Sequence, residues 1–154
     1  MKPPCSTSGG LLAALLLGPA PAVVVMTTIF AVQCLLFQDG GLTALGANIF
    51  NMGIVGSVGG YGLYQALRRL PHGRTAAELL FWPAVAVAAW LSVMLGALAA
   101  SLELGFSGII PLRVVLPAML GVHALIGIGE ALITISALAL VRRARSELLK
   151  RAAR

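Results

Sequence analysis

Four long apolar runs, separated by short polar gaps, dominate the chain. Leu11 to Gln38 carries no charged residue, nor does Gly40 to Leu67, nor does Leu79 to Leu102. Val114 to Val141 carries one, Glu130. Each run exceeds the roughly 20 residues that an α-helix needs to cross about 30 Å of hydrocarbon. The pattern predicts an all-α fold, a polytopic membrane helix bundle forming a single transmembrane domain. Its four full spans lie at about 20–38, 42–67, 79–102 and 114–141, with a basic tail at 142–154.

Ahead of the first span, Leu11 to Leu17 is too short to cross alone, and Gly18-Pro19 interrupts any helix there. The opening "MKPPCSTSGGLLAALLLGPAPA" loosely imitates a signal peptide. The apolar character continues without a break through "VVVMTTIFAVQCLLF", so a half-helix or re-entrant piece is the better reading.

Composition agrees with a membrane chain: 59% of residues are hydrophobic and 10% charged, against about a quarter charged in soluble domains. The net charge of +6 concentrates at two places. Arg68, Arg69 and Arg74 follow the second run; Arg142, Arg143, Arg145, Lys150, Arg151 and Arg154 follow the last. No folded basic face with base-reading groups accompanies them, which excludes a nucleic-acid interface. The positive-inside rule puts both segments, and the C-terminus, in the cytoplasm. The gaps around Asp39 and Glu103 to Gly108 then lie outside.

The second span raises a chemical question. "DGGLTALGANIFNMGIVGSVGGYG" combines Asn48 and Asn51 with Gly53, Gly56, Gly59 and Gly60. Glycines three and four apart form one smooth stripe on a helix, against which a neighbouring backbone packs closely. Amides in hydrocarbon need partners, so the two asparagines are expected to face a polar cavity or another helix.

The last span, "GVHALIGIGEALITIS", adds a second polar signal. His123 and Glu130 are two turns apart on one face, with Gly127 between them as a helix-packing residue. A carboxylate at that depth is costly unless it pairs or functions. The two turns separate them by roughly 10 Å along the axis, so joint ligation of one ion needs a bent helix. A hydrogen-bond network with Asn48 and Asn51, bracing a polar cavity, is the simpler expectation. His123, Glu130 and Cys5 stand as secondary metal-ligand candidates. Cys5 and Cys34 make no disulfide framework, and no CxxC, HExxH, GxxxxGK[ST] or GxSxG occurs.

The segments "LLAALLLGP", "FQDGGLTALGANIFNMGIVG" and "PLRVVLPAMLGVHALIGIGEALIT" together resemble the CbiM/NikM-type substrate-capture (S component) subunit of cobalt and nickel energy-coupling-factor transporters. The resemblance covers Gly9 to about Leu140. It implies a prokaryotic cell-membrane protein that takes Co2+ or Ni2+ from outside as its substrate, with no tightly bound cofactor. It also implies partners: a coupling transmembrane subunit, two cytoplasmic ATPase subunits and often a small accessory membrane subunit, commonly in the service of cobalamin biosynthesis.

Family members open with Met-His, whose amino terminus and imidazole help to chelate the metal, and carry a loop histidine before the Gly-Gly. Here Lys2 and Pro3 follow Met1, and Ser6, Thr7 and Ser8 stand where that loop histidine is sought. The chain looks like the C-terminal portion of a capture subunit, which predicts weak metal binding on its own. Two other readings compete with this one. The first is an assembly or regulatory subunit that docks through the glycines without transporting. The second is an intramembrane enzyme using His123 and Glu130 as acid and base, which lacks a persuasive nucleophile.

Overall fold

Gly18 adopts φ 96°, ψ 162°, a conformation that side chains disfavour, and Pro19 starts the next helix where a missing N–H costs nothing. That junction separates α1 (Gly10–Leu17) from α2 (Pro19–Phe37) in the computed structural model, which describes residues 9–38, 41–70 and 78–144. The chain continues through α3 (Gly41–Asn48), a π-helical stretch π1 (Ile49–Gly59) and α4 (Gly60–Arg69), which follow one another as a single rod. Helices α5 (Phe81–Phe106) and α6 (Leu112–Ala144) complete an all-helical bundle. Four rods of 19 to 33 residues are long and apolar enough to cross a membrane.

The bundle is inside-out in polarity. Phe37, Leu36, Leu125, Leu132 and Leu140 are exposed, whereas Asn51, Ser57, Ser92, Ser101, Glu130 and Thr134 are buried. Lipid suits the first set and not the second, so helix association rests on close packing and internal hydrogen bonds. Several hydroxyls bond within their own helix: Ser101 Oγ donates to the Ala97 carbonyl at 2.6 Å, and Ser92 Oγ to the Ala89 carbonyl at 2.8 Å.

Helix α1 is a plug rather than a crossing. Leu11 and Leu15 pack with Tyr64, Ala84, Val85, Ala88, Ala89 and Leu138, filling the end of the bundle where α4 and α6 finish and α5 begins. The small Ala88 and Ala89 leave room for them. At that same end Tyr64, Phe81 and Trp82 stack edge to face, and the Arg142 guanidinium lies 5.6 Å from the Phe81 ring centre.

Two features differ from the sequence reading. The third span does not stop at Leu102; α5 runs on to Phe106, so Glu103 is helical rather than part of a connecting gap. The second span is not a uniform α-helix, and Gly53 falls off the seam that Gly56, Gly59 and Gly60 make with α5. A Cβ on Gly53 would meet Met26 of α2 at 3.8 Å, whereas one on Gly56 would meet the Ser92 carbonyl of α5 at 3.8 Å. One on Gly59 would meet Leu95 at 3.2 Å, and one on Gly60 would meet both Ser92 and Leu11. The i→i+5 bonding of π1 changes the angular step per residue, so α-helical spacing misplaces Gly53.

Candidate functional site

A cavity of about 160 Å³ opens in the half of the bundle near the α2–α3 and α5–α6 connections. Asn48 closes α3 onto it; Asn51, Met52 and Gly56 line it from π1; Met119 and His123 line it from α6. The face of α5 from Ser92 to Ala100 and the first residues of α1, Gly10 and Leu11, complete the wall. The space exists because Gly10, Gly56, Gly96, Ala97 and Ala100 put almost nothing into it. The helices there are tight: a Cβ on Gly96 would lie 3.1 Å from the Asn51 carbonyl oxygen, and one on Gly10 would lie 2.5 Å from Ser57 Oγ.

Asn51 is a buried polar group of the wall, as is Ser92. It is 5% exposed, and its Nδ2 donates to Glu103 Oε2 at 2.8 Å. An ionised carboxylate only accepts hydrogen bonds, so the amide nitrogen must face Glu103 and the oxygen must face away. That oxygen, Oδ1, is buried with no hydrogen-bond partner. Leaving such an acceptor unsatisfied costs about 1–3 kcal/mol.

His123 is oriented in a comparable way. Its Nδ1 lies 2.8 Å from the Met119 carbonyl oxygen, one helical turn back. A carbonyl can only accept, so Nδ1 carries the proton and Nε2 keeps a lone pair in the neutral ring. A backbone carbonyl on one ring nitrogen is the usual support for a histidine whose other nitrogen takes a metal.

The other sequence candidates fall elsewhere. Glu130 is 8% exposed and partnered, and lies outside the cavity lining, on the α6 face that carries Gly127, Thr134 and Leu138. The expected network of His123 with Glu130 is therefore divided between the cavity and the helix interface. Gly127 sits under Trp90, whose indole Nε1 donates to the Ala124 carbonyl at 2.9 Å. Gly53, Gly59 and Gly60 serve packing away from the lining, and only Gly56 of the four reaches the cavity. Cys34 is a buried free thiol on α2, and Cys5 lies outside the described residues. Among the described residues, no group of three or more His, Cys, Asp or Glu could hold a metal ion.

Glu103 is the residue that sequence reasoning missed. The signal was present: Ser92, Gly96, Ala100 and Glu103 follow one another at helical spacings of four, four and three, so they share one face of α5.

Comparison with known proteins sets this geometry in a family. The cobalt uptake substrate-specific transmembrane region, CbiM, matches residues 7–148. The chain is 39% identical over 147 residues to the protein named as a fused nickel transport protein, NikMN, in Archaeoglobus fulgidus, covering 94% of this chain and 47% of that one. It is 32% identical over 151 residues to the cobalt transport protein CbiM of Geobacter sulfurreducens, covering 95% and 41%. The chain thus spans less than half the length of these two relatives. A crystal structure of a transition metal transporter superposes with a TM-score of 0.78 at 31% identity, over 94% of this chain and 67% of that one. A truncated transition metal transporter gives 0.77 at the same identity, over 88% and 67%. A multi-pass helical bundle with matching sequence along nearly its whole length leaves one assignment: this chain belongs to the CbiM family of cobalt uptake substrate-specific transmembrane regions.

Proposed function

We propose that the chain forms the membrane cavity in which a cobalt or nickel uptake system of the energy-coupling-factor type captures its ion. The observation that carries this reading is the cavity wall itself. His123, with Nδ1 committed to the Met119 carbonyl, joins the amides of Asn48 and Asn51, the hydroxyl of Ser92 and the thioethers of Met52 and Met119 in a wall otherwise made of small and apolar residues. Neutral oxygen and imidazole nitrogen suit a divalent first-row transition ion, and mixed nitrogen and oxygen ligation binds nickel or cobalt over magnesium or calcium.

Orientation follows from charge. Arg68, Arg69, Arg142 and Arg143 finish α4 and α6 at the end of the bundle opposite the cavity. The positive-inside rule then puts those ends and the basic tail in the cytoplasm, and the cavity toward the outside, where the ion arrives. Movement against a gradient needs an energy source, and the sequence carries no phosphate-binding loop. A coupling membrane subunit and two cytoplasmic ATPase subunits supply it in this reading, often with a small accessory membrane subunit. Cobalamin biosynthesis is the proposed consumer of imported cobalt. The relatives are named as metal transport proteins, which supports transport over the enzyme reading.

Equilibrium dialysis of the full chain in lipid nanodiscs tests the reading. Radioactive Co2+ and Ni2+ are expected to bind at one site per chain, with excess Mg2+ failing to displace them. No retention of either ion at millimolar concentration overturns it.

A further inference from the structure

We propose that the end of the bundle opposite the cavity carries a binding site for an anionic phospholipid, whose headgroup is taken by Arg68 and Arg142. Three aromatic rings support it. Tyr64 of α4 lies edge to face with Phe81 of α5 at 6.4 Å between ring centres, and Phe81 with Trp82 at 5.0 Å. The Arg68 guanidinium stands 5.7 Å from the centre of the Tyr64 ring. That of Arg142, from α6, stands 5.6 Å from the centre of Phe81 and 5.9 Å from that of Trp82. Three helices thus bring two cations onto one aromatic array. Tyr64 belongs to the buried core, and Phe81 and Trp82 pack against that core, so the rings hold the guanidiniums in place.

A guanidinium over a ring is held by its face, which leaves its in-plane N–H groups free to take phosphate oxygens in pairs. Among the described residues, both arginines meet rings rather than carboxylates. Arg69 and Arg143, next to them in sequence, are exposed, as is Glu78, the one acid of the described residues at this end. The patch therefore keeps an excess of positive charge. The apolar surface around it selects a lipid over a free phosphate or an acidic peptide. Leu70, Leu79 and Leu140 are all largely exposed. Leu70 follows Arg69, Leu79 precedes Phe81 by two residues, and Leu140 precedes Arg142 by two. A phospholipid offers both an anionic head for the arginines and acyl chains for the leucines. Aromatic rings at the ends of membrane helices sit where headgroup meets hydrocarbon, and basic pockets between such helices suit anionic headgroups.

The experiment titrates the full chain in neutral detergent micelles with phosphatidylglycerol, phosphatidylcholine or inorganic phosphate. Native mass spectrometry reads bound lipid, and thermal unfolding is followed in parallel. The wild type is expected to retain phosphatidylglycerol on the order of tenfold more tightly than phosphatidylcholine. Absence of that preference overturns the proposal and leaves the patch to an acidic partner protein. Inorganic phosphate that displaces the lipid at millimolar concentration shows a bare anion site and overturns the lipid assignment. Arg68→Lys with Arg142→Lys keeps the charge but loses the planar fork and its seat on the rings. This pair is expected to abolish the preference without moving the unfolding midpoint in phosphatidylcholine. Arg69→Lys with Arg143→Lys, at positions with no ring beneath them, is expected to retain it. Equal behaviour of the two pairs reduces the effect to diffuse charge and overturns the site. If the Arg68 and Arg142 pair does not fold, Arg142→Lys alone, at an exposed helix end, decides by the same comparison.

Discussion

The indole ring of Trp90 occupies the space that any side chain at Gly127 would need. A Cβ there would lie 2.8 Å from Trp90 Cδ1, and the same indole donates its N–H to the Ala124 carbonyl, one turn away on α6. Helices α5 and α6 are thus joined by one aromatic residue that packs and bonds at once. Gly127→Ala should push the ring off its acceptor and destabilise the bundle by about 1–3 kcal/mol, the usual cost of overpacking. Unfolding in mixed micelles gives the energy. A change in indole emission, read in a Trp82→Phe background that leaves Trp90 as the sole reporter, shows whether the ring has moved. A variant as stable as the parent with unchanged emission contradicts the packing argument.

Gly60 and Gly62 provide an internal control for close helix approach. A Cβ on Gly60 would sit 2.6 Å from the Ser92 Cβ, whereas one on Gly62 meets nothing within 4 Å. Both lie in α4, so they share the same backbone preference. Gly60→Ala should destabilise by about 1–3 kcal/mol. Gly62→Ala should be neutral or stabilising by up to about 1 kcal/mol, from helix propensity alone. Parallel unfolding of the two variants checks the pair, and equal effects would show that the α4–α5 approach is looser than it looks.

Those contacts also show what the sequence can and cannot reveal. The four crossings were legible because uncharged runs of that length have few other uses in a protein. Gly18-Pro19 announced the break after α1 for similarly local reasons. The π-helical turn was not legible, since nothing in "IFNMGIVGSVG" distinguishes i→i+5 from i→i+4 bonding before the neighbours are in place. The placement of Gly53 on the same face as Gly56, Gly59 and Gly60 failed with it. Glu103 was overlooked because a charge at the end of an apolar run resembles the start of a loop. Its meaning depends on Asn51, which is 52 residues away in sequence. Periodicity reports a face of one helix; it does not report which side chain on another helix completes a pair.

His123 and Glu130 look alike as polar residues in one apolar helix, yet only His123 lines the cavity. Substitution should separate them. His123→Ala removes the imidazole from the wall and should weaken Co2+ binding on the order of tenfold or more, with little loss of stability for a half-buried side chain. Glu130→Gln keeps the shape and much of the hydrogen bonding of a residue at the helix interface. It should leave Co2+ affinity within about twofold while lowering stability by roughly 1 kcal/mol. Titration and unfolding on the same samples distinguish the roles. Loss of metal binding in Glu130→Gln with unaltered stability would move Glu130 into the cation site.

The topology makes a separate demand on whole cells. Ser107 is exposed at the α5–α6 connection, on the cavity side, whereas Arg69 is exposed at the end of α4, on the basic side. With Cys5→Ala and Cys34→Ala removing the native thiols, a single cysteine at either position reports which face it occupies. Basic residues resist translocation across an energised membrane, so the α4 and α6 ends should stay inside. Ser107→Cys should therefore react with a membrane-impermeant maleimide in intact cells. Arg69→Cys should react only after lysis. The reverse pattern would put the cavity on the cytoplasmic face, where a capture function from outside could not operate. Equal labelling of both would indicate insertion in two orientations, an outcome that the clustering of Arg68, Arg69, Arg142 and Arg143 at one end opposes.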